Sequence, residues 1–191
     1  MKTRSTFFYL TLFATFAVQA QNVVPFKMQP NGTYLTEDGK DYQIVEFEGK
    51  TAPELYDMVI LNAKQLFCDA KDIIRGNEPF NISINAKFDV PKEALGPFYT
   101  ETVIVFESRV DYVLSFKDGR IKIEAPKIDE NLHAVFDFNM VSDFRLVRVI
   151  GDSFNRKGVV KPKFAESIRK FEANVNGHIE ALLGIQKDED W

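Results

Sequence analysis

The pattern that most restricts the fold of this chain is a β-hairpin signal near residue 118. Alternating apolar and polar residues run from Tyr99 to Lys117, and a second alternating run follows the turn Lys117-Asp118-Gly119-Arg120. Asp-Gly favours the type I′ turn of a two-residue hairpin, because both central residues of that turn need positive φ. The turn sets a register in which apolar residues of one face oppose each other: Phe116 with Ile121, Leu114 with Ile123, and Tyr112 with Ala125.

The remaining periodicity adds further strands and two helices to this hairpin. Apolar residues at three- and four-residue steps predict one amphipathic helix at 52–74, closed by Gly76, and another at 162–183, closed by Gly184. Alternation predicts the other strands: 41–48, 80–90, and less regular extended stretches at 134–140 and 144–150. The element order is β-α-β-β-β-(β)-α. We therefore predict an α+β fold, in which an antiparallel sheet of four to six strands has both helices packed on one face.

The same periodicity predicts the core. One face of each strand and one stripe of each helix are apolar, so these surfaces should pack against each other. The predicted inward residues of the strands are Phe80, Ile82, Ile84, Phe88, Ile104, Phe106, Leu114, Phe116, Ile121 and Ile123. Those of the helices are Leu55, Val59, Leu66, Ile168, Phe171 and Val175.

The first twenty residues have the three-part pattern of a secretory signal peptide. Two cationic residues precede an uncharged, mostly apolar run at 5–18, and small residues precede a cleavage position before Gln21. This run is shorter than the about 20 residues that a membrane-spanning helix needs. We therefore expect a signal peptide at 1–20, and a soluble mature chain without a transmembrane segment, located in the periplasm or outside the cell.

We interpret the rest of the chain as one domain at 41–184. A loop-rich lead-in at 21–40 precedes it, an extended insertion at 127–158 lies within it, and an acidic tail at 185–191 follows it. The chain is 45% hydrophobic and 27% charged, close to the globular average, which excludes a disordered or fibrous protein.

Common patterns of catalytic and metal sites are missing from the sequence. It contains no glycine-rich phosphate loop, no His-Glu-x-x-His and no Cys-x-x-Cys. Cys68 is the only cysteine, so it has no partner for an intrachain disulfide, and the spacing of the two histidines, His133 and His178, gives it no support as a nucleophile. Candidate carboxylate pairs are typical of polar strand faces: Asp137 with Asp143, and Glu107 with Asp111. We therefore predict no catalytic residue, no metal ligand and no cofactor.

Three short motifs resemble a family of secreted bacterial domains of unknown function. They are Gly49-Lys50-Thr51 with Glu54-Leu55-Tyr56, then Phe116-Lys117-Asp118-Gly119-Arg120, and Phe171…Asn176 with His178-Ile179. The resemblance covers residues 41–126 and 160–184, and this chain departs from the family's pattern at 127–158. It implies a TBP-like fold, that of the TATA-box-binding protein, and it implies no activity.

Charge and export together restrict the function. Acidic residues outnumber basic ones by 28 to 24, the opposite of what a nucleic-acid-binding domain usually has, so we expect no nucleic acid among the partners. We predict a non-catalytic binding module of the bacterial cell envelope whose partner is a peptide, a glycan or an envelope protein. The alternative is a periplasmic or secreted hydrolase or a protease-inhibitor-like protein.

The outward face of the predicted sheet is the candidate binding surface. The polar residues that two neighbouring strands present there are Asn81, Ser83, Asn85, Lys87, Glu107, Arg109 and Asp111. The alternation also places Val103, Val105 and Val113 on this outward face. Apolar residues of this kind are not favoured on a sheet face that is fully exposed to solvent. The lead-in, the insertion at 127–158 or another molecule should therefore cover part of the face. We expect the uncovered part to centre on Asn85 and Arg109.

Overall fold

The computed structural model describes most of the chain between residues 23 and 185. The described residues are 23–67, 74–90, 103–129, 131–136, 141–145 and 151–185, without the side chains of 88–90, 103–108, 131–136 and 141–145. The predicted signal peptide at 1–20, Cys68 and the acidic residues 186–191 lie outside the described residues.

The architecture is α+β, as predicted. In chain order the strands are β1 (Lys27–Met28), β2 (Tyr34–Leu35), β3 (Tyr42–Glu46), β4 (Ile74–Asn77), β5 (Asn81–Val90), β6 (Val103–Lys117), β7 (Arg120–Glu124), β8 (Lys127–Ile128), β9 (Asn131–Phe136) and β10 (Val141–Arg145). The helices are α1 (Ala52–Leu66) and α2 (Ala165–Leu182), and one 3-10 turn (Pro162–Phe164) precedes α2. β1 and β2 pair with each other, and the other eight strands form one antiparallel sheet.

β6 is the strand around which the sheet is arranged. β5 pairs with it along one edge, while β9, β8 and β7 follow one another along its other edge. β10 and β4 extend the sheet beyond β9 and β5, and β3 pairs with β7. The sheet has more strands than the predicted four to six, because residues 127–145 contribute three strands and residues 74–77 contribute one.

The hairpin forms where the sequence predicts it. β6 ends at Lys117, β7 begins at Arg120, and Gly119 has a φ of +76°. The pairs of Phe116 with Ile121 and of Leu114 with Ile123 are confirmed. The turn also supports α1, because the Asp118 carboxylate accepts a hydrogen bond from the Ala52 N–H at 2.8 Å.

The third predicted pair of this hairpin, Tyr112 with Ala125, lies beyond the end of the ladder. β7 ends at Glu124, and the next strand pairs Val110 with Ile128, a register shifted by one residue. Ala125-Pro126 accounts for the shift, because proline has no N–H to donate to a ladder.

The predicted core is confirmed for most of its members. The buried ones are Ile82, Ile84, Leu114, Phe116, Ile121 and Ile123 on the strands, and Leu55, Val59, Ile168, Phe171 and Val175 on the helices. Leu66 is half-buried, and the side chains of Phe88, Ile104 and Phe106 lie outside those described. The prediction that Phe80 points inward is wrong. Its side chain is 61% exposed, because β5 begins one residue later and Phe80 ends the preceding turn.

The first helix ends earlier than predicted. α1 stops at Leu66, and both Ile74, the predicted last residue of the helix, and Gly76, its predicted cap, lie in β4. Gly76 is not a helix cap but a close contact between strands, since a Cβ there would lie 2.4 Å from the Asn81 carbonyl oxygen. An apolar Ile74 suits a strand as well as a helix, and its pairing with Ile84 of β5 decides between them.

The lead-in is packed into the core by its few apolar residues. Phe26, Met28 and Tyr34 are buried against the helical side of the domain. The Asn176 side chain of α2 accepts a hydrogen bond from the Phe26 N–H at 2.8 Å and donates one to the Phe26 carbonyl at 3.0 Å. This two-point contact, which we call the Phe26 clamp, fixes the lead-in to the last helix.

Candidate functional site

The outer face of the sheet, opposite the helices, carries the predicted binding residues. Asn81, Lys87 and Arg109 are exposed, and Ser83, Asn85 and Asp111 are half-buried. Glu107 lies in β6 opposite Asp89, and its side chain is not among those described. The described strands of the 127–158 insertion, β8, β9 and β10, are part of the same sheet. These strands therefore do not cover the outer face.

Three of the predicted residues form a hydrogen-bonded cluster at the centre of this face. Register places Asn85 directly opposite Asp111, and Arg109 two residues along the same strand. Arg109 Nη1 donates to Asn85 Oδ1 at 2.5 Å, and Asn85 Nδ2 donates to Asp111 Oδ1 at 2.5 Å. Asn85 therefore orients a cation and a carboxylate side by side. We call these three residues the outer cluster.

The outer cluster has hydrogen-bonding capacity left for a ligand. A guanidinium carries five N–H donors and a carboxylate can accept at two oxygens. Within the part of the chain that the structure describes, the side chains of Arg109 and Asp111 have no further partner beyond Asn85. The cluster can thus offer donors and an acceptor to amide or hydroxyl groups of a bound molecule.

A cationic pocket lies on the same face at the hairpin end. It has a volume of about 260 Å³, and its lining residues are Ile44, Ser115, Lys117, Arg120 and Lys122. Lys122 Nζ lies 3.6 Å from a Glu124 carboxylate oxygen and 5.0 Å from the centre of the Tyr42 ring. Sequence reasoning missed this pocket, although the hairpin register already places Lys117, Arg120 and Lys122 on one face.

Two larger grooves lie beside the lead-in. One, of about 500 Å³, separates residues 31–35 from 124–128. The other, of about 610 Å³, runs between the turn at 36–40 and β3, and we call it the edge groove. Its turn is stiffened by Asp38, which accepts hydrogen bonds from Lys40 and from the Thr36 hydroxyl, both at 2.5 Å. The bonds from Lys40 and Thr36 lower the pKa of the Asp38 carboxyl.

The titratable groups between the sheet and α2 contact other core side chains. The Tyr112 hydroxyl and His178 Nδ1 are 2.9 Å apart, and the His178 ring also packs edge-on against Phe67. Burial lowers the pKa of His178 and raises those of Tyr112 and Tyr34. The described residues contain no cluster of three or more His, Cys, Asp or Glu side chains that could hold a metal ion. They also contain no helix with the length and apolar character to cross a membrane.

The comparisons with solved structures identify bacterial proteins of similar fold. A TBP-like protein from Parabacteroides distasonis is 14% identical, with a TM-score of 0.48 over 76% of this chain and 92% of that one. A DUF4468 family protein from Bacteroides ovatus is 13% identical, with a TM-score of 0.50 over 78% of this chain and 88% of that one.

These structures bear on fold and not on activity. No family model matches the chain, and no curated protein matches it. At such low identity the DUF4468 structure shows a shared fold alone. Together with the observed topology, it confirms the prediction of an α+β fold shared with a bacterial domain of unknown function.

Proposed function

We propose that this protein is an exported, non-catalytic binding module of the bacterial cell envelope that takes a peptide, a glycan or an envelope protein on its outer face. The observation that carries the proposal is the outer cluster, in which Asn85 holds Arg109 and Asp111 side by side on an open sheet. The signal pattern at 1–20 supports export.

The division of the sheet into two faces supports this location for the site. The inward residues of the described sheet are buried against α1 and α2, so they are not accessible to a partner. Polar side chains on a rigid sheet keep their positions without a ligand, which lowers the entropic cost of binding. The half-buried Val113 beside the outer cluster adds apolar contact area to the polar groups.

Charge reversal at the centre of the face tests the proposal. Arg109→Glu replaces the donor of the outer cluster by a second carboxylate near Asp111, so a partner that accepts from Arg109 should be lost. The measurement is crosslinking and affinity recovery from intact envelopes, followed by mass spectrometry. Arg156→Glu, the same charge change in an exposed loop, is the matched control.

The expected result is that Arg109→Glu loses a partner that the unaltered protein and Arg156→Glu both recover, while all three melt at the same temperature. Recovery of every partner by Arg109→Glu would place the site elsewhere. Turnover of a hydrolase substrate panel by the purified protein would favour the enzymatic alternative.

Export has its own test. The mature chain should begin at Gln21, and the intact mass of the envelope fraction measures this directly. A full-length species of 21.9 kDa in that fraction would contradict the proposed cleavage.

A further inference from the structure

We propose that the edge groove binds an extended peptide of a partner protein, which adds to the sheet as a strand beside β3. This goes beyond the proposed function, because the edge groove is separate from the outer cluster and would take its ligand by main-chain pairing.

The free edge of β3 supplies the main-chain groups for such pairing. β3 pairs only with β7 in the described sheet. The bonds from the Phe47 N–H to Gly119 and from the Ala125 N–H to Asp41 place the odd-numbered residues of this segment against β7. In an antiparallel ladder the alternate residues then direct their N–H and C=O groups away from that partner. The groups of Tyr42, Ile44 and Glu46 therefore line the open edge.

These edge groups are unused in the described part of the chain. No hydrogen bond from a described residue reaches the main chain of Tyr42, Ile44 or Glu46 across this edge. A row of alternating donors and acceptors matches the backbone of an extended chain, which is how strand addition is recognised elsewhere.

Side chains around the groove point to the same kind of ligand. Val24 is 42% exposed and Ile44 is 48% exposed, and both line the groove. Gln43 lines it too and is only 7% exposed: its Oε1 accepts a bond from the Val24 N–H at 3.0 Å, while its buried Nε2 has no partner among the described residues. Apolar side chains of the peptide would cover Val24 and Ile44.

The shape of the site favours a short segment over a second folded copy. The turn at 36–40 walls the groove on one side, and its volume of about 610 Å³ suits a few residues of extended chain. β3 has five residues, about 17 Å of strand, which sets the length of the paired segment. The occupant is therefore an extended peptide with apolar side chains.

The first experiment selects a probe and locates it. A phage-displayed library of random heptapeptides is panned on the purified chain, and the strongest peptide is synthesised and titrated into ¹⁵N-labelled protein. We expect amide shifts confined to Val24 and residues 36–46. An absence of enrichment, or shifts centred on Asn85 and Arg109, would overturn the proposal.

The second experiment tests main-chain pairing without altering the protein. The probe peptide is N-methylated at alternate amides in two versions, so that only one version blocks the amides facing β3. One version should lose binding at least tenfold and the other should retain it. Equal binding by both versions would mean that the peptide does not pair as a strand.

Paired variants of the protein complete the test. Ile44→Pro removes an edge N–H that β7 does not use, so the fold should tolerate it, while Ile44→Ala shortens the side chain and keeps the N–H. Ile44→Pro should weaken probe binding at least tenfold more than Ile44→Ala, and Arg109→Glu should leave binding unchanged. A concentration-dependent dimer in sedimentation, lost in Ile44→Pro, would instead assign the edge to a second copy.

Discussion

The two faces of the sheet use alternate residues of the same strands in opposite ways. On β5 and β6, Ile84 and Tyr112 face inward and are fully buried beneath the helices. Their neighbours Asn85 and Asp111 face outward, are half-buried and bond to each other. The comparison teaches that core packing and the proposed binding surface use alternate positions along one strand, so substitutions at one set should spare the other.

Phe171→Ala should give the largest loss of stability. Phe171 is buried on α2, and removing its ring leaves a cavity that costs about 3–5 kcal/mol. Urea denaturation measures the free energy of unfolding. Arg169→Ala on the exposed side of the same helix, which removes a surface ion pair with Glu166, is the control and should cost about 0.5 kcal/mol or less. A loss below about 1 kcal/mol for Phe171→Ala would mean that α2 does not close the core.

Asn176→Ala should have the next largest effect. It breaks the Phe26 clamp and leaves the buried N–H and C=O of Phe26 without their side-chain partner. Such groups cost about 1–3 kcal/mol when unsatisfied. The same denaturation measurement checks this, with Asn31→Ala in the exposed turn between β1 and β2 as the control. Equal stability of the two variants would show that the Phe26 clamp contributes no more than a surface turn.

His178 should make stability depend on pH. Because burial lowers its pKa in the folded state, the unfolded state, with a pKa near 6.5, binds more protons. The free energy of unfolding should therefore fall as the pH drops below about 6.5, until the folded pKa is passed. Denaturation between pH 7.5 and 5.5 measures the slope. His178→Gln should reduce this slope, and an unchanged slope in His178→Gln would contradict the assignment.

Arg109→Glu should have the smallest effect on stability. Arg109 is exposed and its described bond reaches only Asn85 at the surface, so the free energy of unfolding should change by about 0.5 kcal/mol or less. Thermal melting beside the unaltered chain is the measurement. A loss comparable to that of Asn176→Ala would mean that the outer face also stabilises the fold.

Local chemistry explains what the sequence could predict. The hairpin at Asp118-Gly119 combines a turn signal with alternation on both sides, and this fixes both the register and the inward residues. The same alternation placed Asn85, Arg109 and Asp111 outward. The bonds among them follow only from the pairing of β5 with β6, which no short stretch of sequence encodes.

Pairing between distant segments explains what sequence reasoning missed. Ile74 fits both a helical and a strand period, so the end of α1 depends on β5 rather than on local pattern. To predict the edge groove, one would need to know that β3 pairs with β7 and forms an edge of the sheet. Strand order is a property of the assembled sheet, and sequence alternation alone does not determine it.

The Phe26 clamp also sets when the domain can finish folding. Phe26 and Asn176 are 150 residues apart, so their contact closes one of the longest loops available to the chain. Ribosomes add about 5–20 residues per second, which separates the synthesis of these two residues by roughly 8–30 s. Throughout that interval the lead-in has no helix to dock on. Completion of the core is therefore late and non-local, as expected of a slow-folding domain of high contact order.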